Sequence, residues 1–284
     1  MNTLAFKPVV PAAEFTVSRG AKIRHTDIGK GRAVVLVHGF LESLEMWFGN
    51  RFAETLAERF RVIAIDLPGH GGSEVMGDVQ TMERMADAVK DVMDGLGLRK
   101  YVLVGHSMGG YVSLAFAERY PKAVSGLCLF HSSARPDSDE KKKDRDRAIK
   151  MVKRDPLKYS NQLVINLFAV ANQKYLKKEI NWMRRIAAKT RKQSIVACLE
   201  GMKIRKNREN VLRDARYPVM IIAGRHDVVI PFATLEGQKY LLKDGRFIVL
   251  EGAGHMGFLE AGDVTLKELQ QFCGYCYRRK VTKS

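Results

Sequence analysis

The sequence is poor in cysteine and proline and contains no long apolar run. Its 284 residues include four cysteines and eight prolines, while 46% are hydrophobic and 28% are charged. Four cysteines are too few for the disulfide framework of a small secreted domain. The longest stretch without a charged residue, Tyr101–Ala117, is interrupted by glycines and is shorter than the about 20 apolar residues of a membrane span. We therefore expect a globular chain without a transmembrane segment.

The N-terminal sequence also lacks the features of a signal peptide. Residues 1–15 contain no basic region followed by an apolar core of about 7–15 residues. Cys273 and Cys276 form a C-x-x-C pair, but no second pair and no histidine lies near them in the sequence. We predict ordinary packing for this pair rather than a zinc or redox site. The expectation is a cytoplasmic protein with reduced cysteines and no metal.

Acidic residues are scarce in one part of the chain. The whole sequence has 48 Lys and Arg against 31 Asp and Glu, a net charge of +17. From Ala134 to Arg216 there are 24 basic and 10 acidic residues, so this segment carries +14 and all the rest only +3. A charge concentrated in this way indicates either a solvated surface or a surface that attracts anionic partners.

Short apolar runs alternate with helical periods over most of the chain. The runs predicted as buried strands are Ala33–Val37, Arg61–Ile65, Tyr101–Val104, Val124–Phe130, Pro218–Ala223 and Arg246–Leu250. Strands separated by helices indicate βαβ units with right-handed crossovers. Glu14–Arg19 and Ala21–Asp27 are predicted to add antiparallel pairing at one edge. The predicted fold is α/β, with a mostly parallel central sheet and helices on both faces.

Residues 134–216 interrupt this alternation. The segment has no convincing strand and contains several helical stretches rich in Lys and Arg. An all-helical stretch of this length between two sheet strands is typical of a cap that rests on the edge of the sheet. We predict an α/β core from residues 1–133 and 217–284 and a helical cap from residues 134–216.

Lys174–Lys192 is the clearest helical stretch of the predicted cap. At about 100° per residue, Tyr175 and Met183 fall on an apolar side. Lys178, Arg185 and Lys189 fall on the opposite side. The pattern predicts one amphipathic helix with an apolar underside and a basic outer face.

A serine between glycines follows one of the predicted strands. Residues 101–110 read YVLVGHSMGG, in which an apolar strand leads into G-x-S-x-G and a helical stretch follows. This is the context of a nucleophile elbow, a sharp turn that projects the serine hydroxyl. Gly105 and Gly109 are needed because a side chain at either position would collide with neighbouring backbone. We predict Ser107 as a nucleophile.

A serine hydroxyl needs a general base and an orienting carboxylate, and candidates follow in the required chain order. Asp227 comes shortly after the strand-like run PVMIIA, and His255 follows RFIVL in the same way. Both loops then open at the carboxyl edge of the sheet, where Ser107 lies. We predict a Ser107–Asp227–His255 triad. The sequence leaves His226 and Asp263 as alternative partners for His255.

The loop after the first central strand is the expected source of a second oxyanion donor. Its sequence, His38-Gly39-Phe40, follows AVVLV directly, and Gly39 permits a close approach of the backbone. We predict that the backbone amides of Phe40 and Met108 form the oxyanion hole. His106, inside the elbow, is predicted to pack or to form hydrogen bonds rather than to react.

With these segments in this order, the chain resembles the capped members of the α/β-hydrolase superfamily. The motifs that carry the resemblance are HGF, DLPGHGGS, GHSMGG, GRHD and GAGH, over residues 14–284. The resemblance implies an α/β-hydrolase fold with Ser107 as nucleophile, His255 as general base and Asp227 as its orienting carboxylate. Epoxide hydrolases and haloalkane dehalogenases place aspartate where this chain has Ser107, so the resemblance argues against those two activities.

The predicted reaction is acyl transfer to water through an acyl-enzyme on the serine. We predict a carboxylesterase that acts on a small-molecule ester. No metal or organic cofactor is expected, because no ligand cluster or nucleotide-binding motif is present in the sequence. Within the superfamily the same triad also serves lactonases, thioesterases, cofactor-free haloperoxidases and the menaquinone-pathway lyase, and these activities stay open.

The underside of the predicted cap is expected to select the substrate. The apolar side chains predicted to line it are Leu163, Ile165, Leu167, Phe168, Trp182 and Met183. This lining favours an apolar acyl group.

Functions of two other classes stay open from the sequence. A ligand-binding protein could keep the pocket without turnover, and a nucleic-acid-binding protein would account for the basic charge. No nucleic-acid-binding motif accompanies that charge and a triad would then be unexplained, so no nucleic acid is expected. The partner we predict at the basic cap is an acidic protein such as an acyl-carrier protein, which would present a bound acyl ester.

Overall fold

The computed structural model describes residues 8–279, with an eight-stranded sheet at the centre. Its strands are β1 Glu14–Ser18, β2 Ala21–Ile28, β3 Ala33–Val37, β4 Arg61–Ile65, β5 Tyr101–His106, β6 Val124–Phe130, β7 Val219–Gly224 and β8 Gly245–Leu250. The strand order is β1-β2-β4-β3-β5-β6-β7-β8. Strands β3 to β8 run parallel to one another, whereas β2 pairs antiparallel with β1 and β4. The predicted mostly parallel sheet with an antiparallel edge is confirmed.

The central strands form because their side chains are apolar on both faces. Every residue of β3 is buried, and Val35 of β3 lies opposite Leu103 of β5 in the parallel register. The observed strands differ from the predicted runs by a few residues at their ends; β5, for example, continues to His106. Residues 1–7 and 280–284 lie outside the described residues. The predicted absence of a signal peptide rests partly on residues 1–7, so it falls partly outside the described residues as well.

Helices join the strands and cover the sheet. The described chain forms α1 Phe52–Ala57, α2 Met82–Gly95, α3 Met108–Arg119, α4 Asp139–Arg154, α5 Pro156–Asn166, α6 Val170–Gln173, α7 Lys177–Ala187, α8 Lys192–Lys203, α9 Glu209–Arg213, α10 Phe232–Glu236, α11 Gly257–Glu260 and α12 Gly262–Arg278. Helix α2 contacts α3, and α1 contacts α12. Within residues 8–279, no helix is both long and apolar enough to cross a membrane.

Residues 134–216, which we call the helical insertion, connect β6 to β7. They form the six helices α4 to α9 and contain no strand. Helix α4 packs against α8, and α5 packs against α7. The insertion buries its own apolar side chains, among them Val152, Val164 and Ile186, in the same cluster as the sheet.

The single amphipathic helix predicted over Lys174–Lys192 is wrong. Helix α7 covers only Lys177–Ala187, and Tyr175 is 75% exposed rather than on the apolar side. A turn around Asn172 precedes α7, and the carbonyl oxygen of Asn172 accepts hydrogen bonds from the amides of residues 175 and 176. The helix therefore begins only at Lys177. At the other end, Arg191 is extended and separates α7 from α8.

Candidate active site

Ser107 lies at the turn between β5 and α3. Its φ of 50° is in the left-handed region, which non-glycine residues rarely adopt. A side chain at Gly105 would come within 2.5 Å of the carbonyl oxygen of Gly109, and one at Gly109 would meet the carbonyl oxygen of Val37. The two glycines therefore permit the sharp turn, which leaves the Ser107 side chain only half-buried.

The loop after β3 approaches this turn closely. A β-carbon on Gly39 would lie 3.0 Å from the Cβ atom of Ser107. Phe40 follows Gly39, and Met108 is the first residue of α3, so its amide has no acceptor within the helix. The structure thus places both predicted oxyanion residues in the segments next to Ser107.

A buried hydrogen-bond network joins this loop to the turn. The Glu42 carboxylate accepts hydrogen bonds from the Gly39 amide and, at 2.9 Å, from Nδ1 of His106. Nε2 of His106 lies 2.8 Å from the carbonyl oxygen of His255 and donates to it. Burial by itself would lower the pKa of His106, but the charge and hydrogen bond of Glu42 raise it above its usual value. The prediction that His106 forms hydrogen bonds agrees with this arrangement.

His255 and Asp227 are brought together at the same edge of the sheet. His255 follows β8 and Asp227 follows β7, and Nδ1 of His255 lies 2.7 Å from Oδ2 of Asp227. The other carboxylate oxygen of Asp227 accepts hydrogen bonds from the amides of Val229 and Ile230 at 2.8 and 2.9 Å. Both side chains are buried, with exposed fractions of 1% for His255 and 5% for Asp227.

The environment keeps Asp227 ionised. Burial alone would raise the pKa of this carboxyl group. The interaction with His255, together with hydrogen bonds from His131 and His255, outweighs burial and holds the pKa of Asp227 well below its usual range. An ionised Asp227 accepts the Nδ1–H of His255, which leaves Nε2 of His255 as the proton acceptor.

The two alternative partners for His255, His226 and Asp263, are not hydrogen-bonded to its ring within residues 8–279. His226 is exposed, and Asp263 is exposed in the first turn of α12.

Within residues 8–279, the Ser107 hydroxyl makes no hydrogen bond to the His255 ring. Catalytic hydrogen bonds of this kind are often long in the free enzyme and tighten when substrate binds.

His131 is a member of this site that the sequence reasoning missed. It follows β6 with a φ of 49°, and its Nδ1 lies 3.4 Å from Oδ2 of Asp227. The amides of Gly224 and Gly257 lie 3.2 Å from its two ring nitrogens. Burial lowers the pKa of His131 to about 4, so its ring is neutral near pH 7. A histidine directly after a predicted strand was the available signal.

The ligand atoms of His131, Asp227 and His255 lie within 4.8 Å of one another, a spacing that could hold a metal ion. In this structure, however, the two histidines and the carboxylate contact each other and the surrounding backbone amides. A hydrogen-bonded histidine–carboxylate pair accounts for the group without a metal.

Comparisons with known proteins agree with the observed fold. A family model described as the alpha/beta hydrolase fold matches residues 32–154. The solved structure of a thermophilic esterase from Thermogutta terrifontis is 30% identical, with a TM-score of 0.88 over 94% of this chain and 99% of that one. The chain belongs to the α/β-hydrolase superfamily.

Two curated relatives extend the likeness over most of the chain. The pimeloyl-[acyl-carrier protein] methyl ester esterase of Nitrosomonas europaea is 26% identical over 247 residues, which are 84% of this chain and 94% of the relative. A putative 2-succinyl-6-hydroxy-2,4-cyclohexadiene-1-carboxylate synthase of Bacillus subtilis is 27% identical over 270 residues, 90% of this chain and 96% of the relative. This member of the α/β-hydrolase superfamily is an enzyme of the hydrolase class.

The residues predicted to line the pocket of this hydrolase lie in three different places in the structure. The carbonyl oxygen of Leu167 accepts a hydrogen bond of 2.7 Å from the His255 amide, and Phe168 is the next residue. The ring of Trp182 packs so closely on Gly49 that a β-carbon there would lie 2.7 Å from it. Leu163 and Met183 pack in the apolar cluster of the protein.

One cavity among residues 8–279 lies away from the triad. It has a volume of about 560 Å³ and lies at the opposite edge of the sheet, among residues that include Lys122, Tyr217, Pro218 and Cys276. None of the predicted site residues lines it. The chemistry of Ser107, Asp227 and His255, and not the size of a cavity, therefore identifies the candidate active site of this hydrolase.

Proposed function

We propose that this protein hydrolyses a carboxylic ester through an acyl-enzyme on Ser107, with His255 as general base and Asp227 as its orienting carboxylate. The observation that carries the proposal is the buried 2.7 Å hydrogen bond between Nδ1 of His255 and the ionised Asp227. It occurs at the sheet edge where a strained turn presents Ser107. A hydroxyl nucleophile, a histidine with one nitrogen fixed and a buried carboxylate are the parts that acyl transfer requires.

The proposed reaction has two halves. Nε2 of His255 accepts the Ser107 proton as the hydroxyl attacks the ester carbonyl, and the imidazolium then donates that proton to the departing alcohol. Water next loses a proton to His255, attacks the acyl-enzyme and releases the acid, while Ser107 regains its proton. In both halves, the amides of Phe40 and Met108 donate hydrogen bonds to the oxyanion.

We further propose that the helical insertion is a cap and that its underside selects an apolar acyl group. Two contacts support this role. The backbone of Leu167 is hydrogen-bonded to that of His255, and Trp182 packs on Gly49 of the core. Apolar side chains at this position would also exclude bulk water from the reacting carbonyl.

The partner we propose for the basic outer surface of the insertion is an acidic acyl-carrier protein. One relative, by its name, acts on an ester of a carrier-bound acyl chain. Lys178 and Arg185 of α7 are exposed and form no ion pair within residues 8–279. Lys189, predicted on the same face, instead pairs with Glu45 of the core at 3.0 Å. Charge complementarity of this kind raises association rates.

Reversing the charge of Lys178 and Arg185 to Glu is expected to separate carrier-bound from free substrates. Exposed charges contribute little to chemistry at a distance, so kcat/KM for a neutral short ester should stay within about twofold of the wild-type value. For an acyl ester on an acyl-carrier protein, kcat/KM at low salt should fall severalfold. This difference should shrink as salt shortens the Debye length.

The matched control is the double variant Lys122→Glu and Lys267→Glu. Both lysines are exposed outside the insertion, and the variant has the same net charge. Kinetics on the carrier-bound ester that were equal for the two double variants at every salt concentration would contradict a carrier site on α7.

An activity screen tests the reaction class. The purified protein is assayed on acyl esters, thioesters and lactones of graded chain length, and in parallel with a fluorophosphonate probe. We expect hydrolysis of apolar acyl esters and rapid labelling of Ser107, because only an activated serine reacts quickly. Labelling without turnover of any ester would favour a different substrate class. Absence of both would favour a ligand-binding protein.

A further inference from the structure

One carboxylate links the segment that carries His255 to the helical insertion. We call residues 252–256 the histidine loop and residues 167–172 the insertion turn. Glu260, in α11, accepts hydrogen bonds from the amides of Gly254 and Met256 at 2.9 and 3.1 Å, both through Oε2. These amides flank His255 on either side. Oε2 of Glu260 thus fixes the backbone of the histidine loop.

The other oxygen of Glu260 holds the insertion. Oε1 accepts hydrogen bonds from the Ala169 amide at 2.8 Å and from Nδ2 of Asn172 at 2.9 Å. The same Nδ2 atom also donates to the carbonyl oxygen of Gly252 at 2.8 Å. Between these contacts, the His255 amide donates to the carbonyl oxygen of Leu167 at 2.7 Å. Hydrogen bonds therefore join the histidine loop to the insertion turn on both sides of His255 in the sequence.

The packing leaves little space for one segment to move without the other. A β-carbon on Gly254 would lie 2.6 Å from the backbone nitrogen of Ala169 and 3.1 Å from the carbonyl carbon of Phe168. The core and the insertion are in backbone contact here. A shift of the insertion turn would therefore also move the backbone of the histidine loop. The site of contact includes residues 167 and 168, which we place at the acyl pocket.

We propose that Glu260 is a positioning residue which, by joining the histidine loop to the insertion turn, fixes His255 and makes kcat depend on the insertion. The inference rests on the proposed function of His255 as general base. Displacement of a catalytic group by about 1 Å can cost about 100-fold in rate. Occupation of the insertion by an acyl group or a carrier protein would then act on the rate of the chemical step as well as on substrate affinity.

Glu260→Gln tests this link because glutamine has one acceptor oxygen where glutamate has two. In either orientation, its NH₂ group faces two N–H donors and releases either the histidine loop or the insertion turn. We expect kcat for p-nitrophenyl acetate, a substrate too short to need the insertion, to fall about 10- to 100-fold. KM should stay within about twofold, and circular dichroism should show the folded state at the assay temperature.

Glu251→Gln is the matched control. It makes the same chemical change in the residue that precedes the histidine loop, where the ion pair of Glu251 within residues 8–279 is the exposed one with Arg225 at 2.9 Å. Its kcat should equal that of the wild type. Asn172→Ala is the milder companion, since it removes one donor from the insertion turn and leaves both Oε2 hydrogen bonds in place. For this variant we expect a severalfold lower kcat.

Hydrogen exchange provides a readout that does not depend on the ester reaction. In Glu260→Gln, peptides that cover the histidine loop or the insertion turn should exchange faster than in the wild type, and in Glu251→Gln they should not. Unchanged exchange in Glu260→Gln, or unchanged kcat in both Glu260→Gln and Asn172→Ala, would overturn the inference. A wild-type protein inactive on all esters would instead contradict the proposed function, and the exchange comparison would still decide the role of Glu260.

Discussion

Ser107→Ala is expected to lower kcat/KM for p-nitrophenyl acetate by about 10⁴-fold or more, because members of a triad act as a unit and no other group supplies the nucleophile. The fold should be preserved. Alanine keeps the β-carbon and the backbone of the turn, and the Ser107 hydroxyl makes no hydrogen bond within residues 8–279 whose loss would leave a buried partner. Initial rates of the purified variant, with circular dichroism on the same sample, measure both effects.

Ser125→Ala is the control for this variant. Ser125 lies at the amino end of β6, at the opposite edge of the sheet from the triad. Its loss should leave activity unchanged. Hydrolysis by Ser107→Ala at close to the wild-type rate would exclude Ser107 as nucleophile.

Asp227→Asn is expected to reduce kcat by about 10⁴-fold near neutral pH. Asparagine can still accept the amide hydrogen bonds of Val229 and Ile230 through its oxygen. Its NH₂ group then faces Nδ1 of His255 and favours the tautomer with the proton on Nε2. In that tautomer His255 cannot accept the Ser107 proton, although the geometry of the site is kept.

The controls for Asp227→Asn are the two alternatives that the sequence left open. Asp263→Asn and His226→Ala change exposed residues, so their kcat values should stay close to that of the wild type. The measurement is kcat at saturating ester for all three variants. A large loss in Asp263→Asn with a mild effect of Asp227→Asn would assign the carboxylate to Asp263.

Much of the fold could be predicted because local sequence determines it. Runs such as AVVLV are apolar at every position, which is typical of strands covered on both faces. The ends of helices were harder to predict. The helix predicted over Lys174–Lys192 begins only at Lys177, because the turn at Asn172 that precedes it is held by Gly252 and Glu260, which are distant in sequence.

The candidate site was predictable to the extent that it follows strands. Ser107, Asp227 and His255 each come after an apolar run, and parallel strands bring their loops to one edge. Glu42 was not predicted, because its partner His106 is 64 residues away and no local pattern marks the pair. The hydrogen bonds of Glu260 to the insertion turn and the ion pair of Lys189 with Glu45 were not predicted for the same reason, because their partners are distant in sequence. The division into core and cap stays a prediction that the helical insertion supports.

Trapping the acyl-enzyme tests the central claim most directly. The protein is mixed with p-nitrophenyl acetate, quenched with acid within the first turnovers and analysed by intact mass and peptide mapping. We expect one acetyl group per chain on Ser107, formed with a burst of p-nitrophenol and absent from Ser107→Ala. Turnover with an acetyl group on another residue, or an acetyl group that persists in Ser107→Ala, would contradict it.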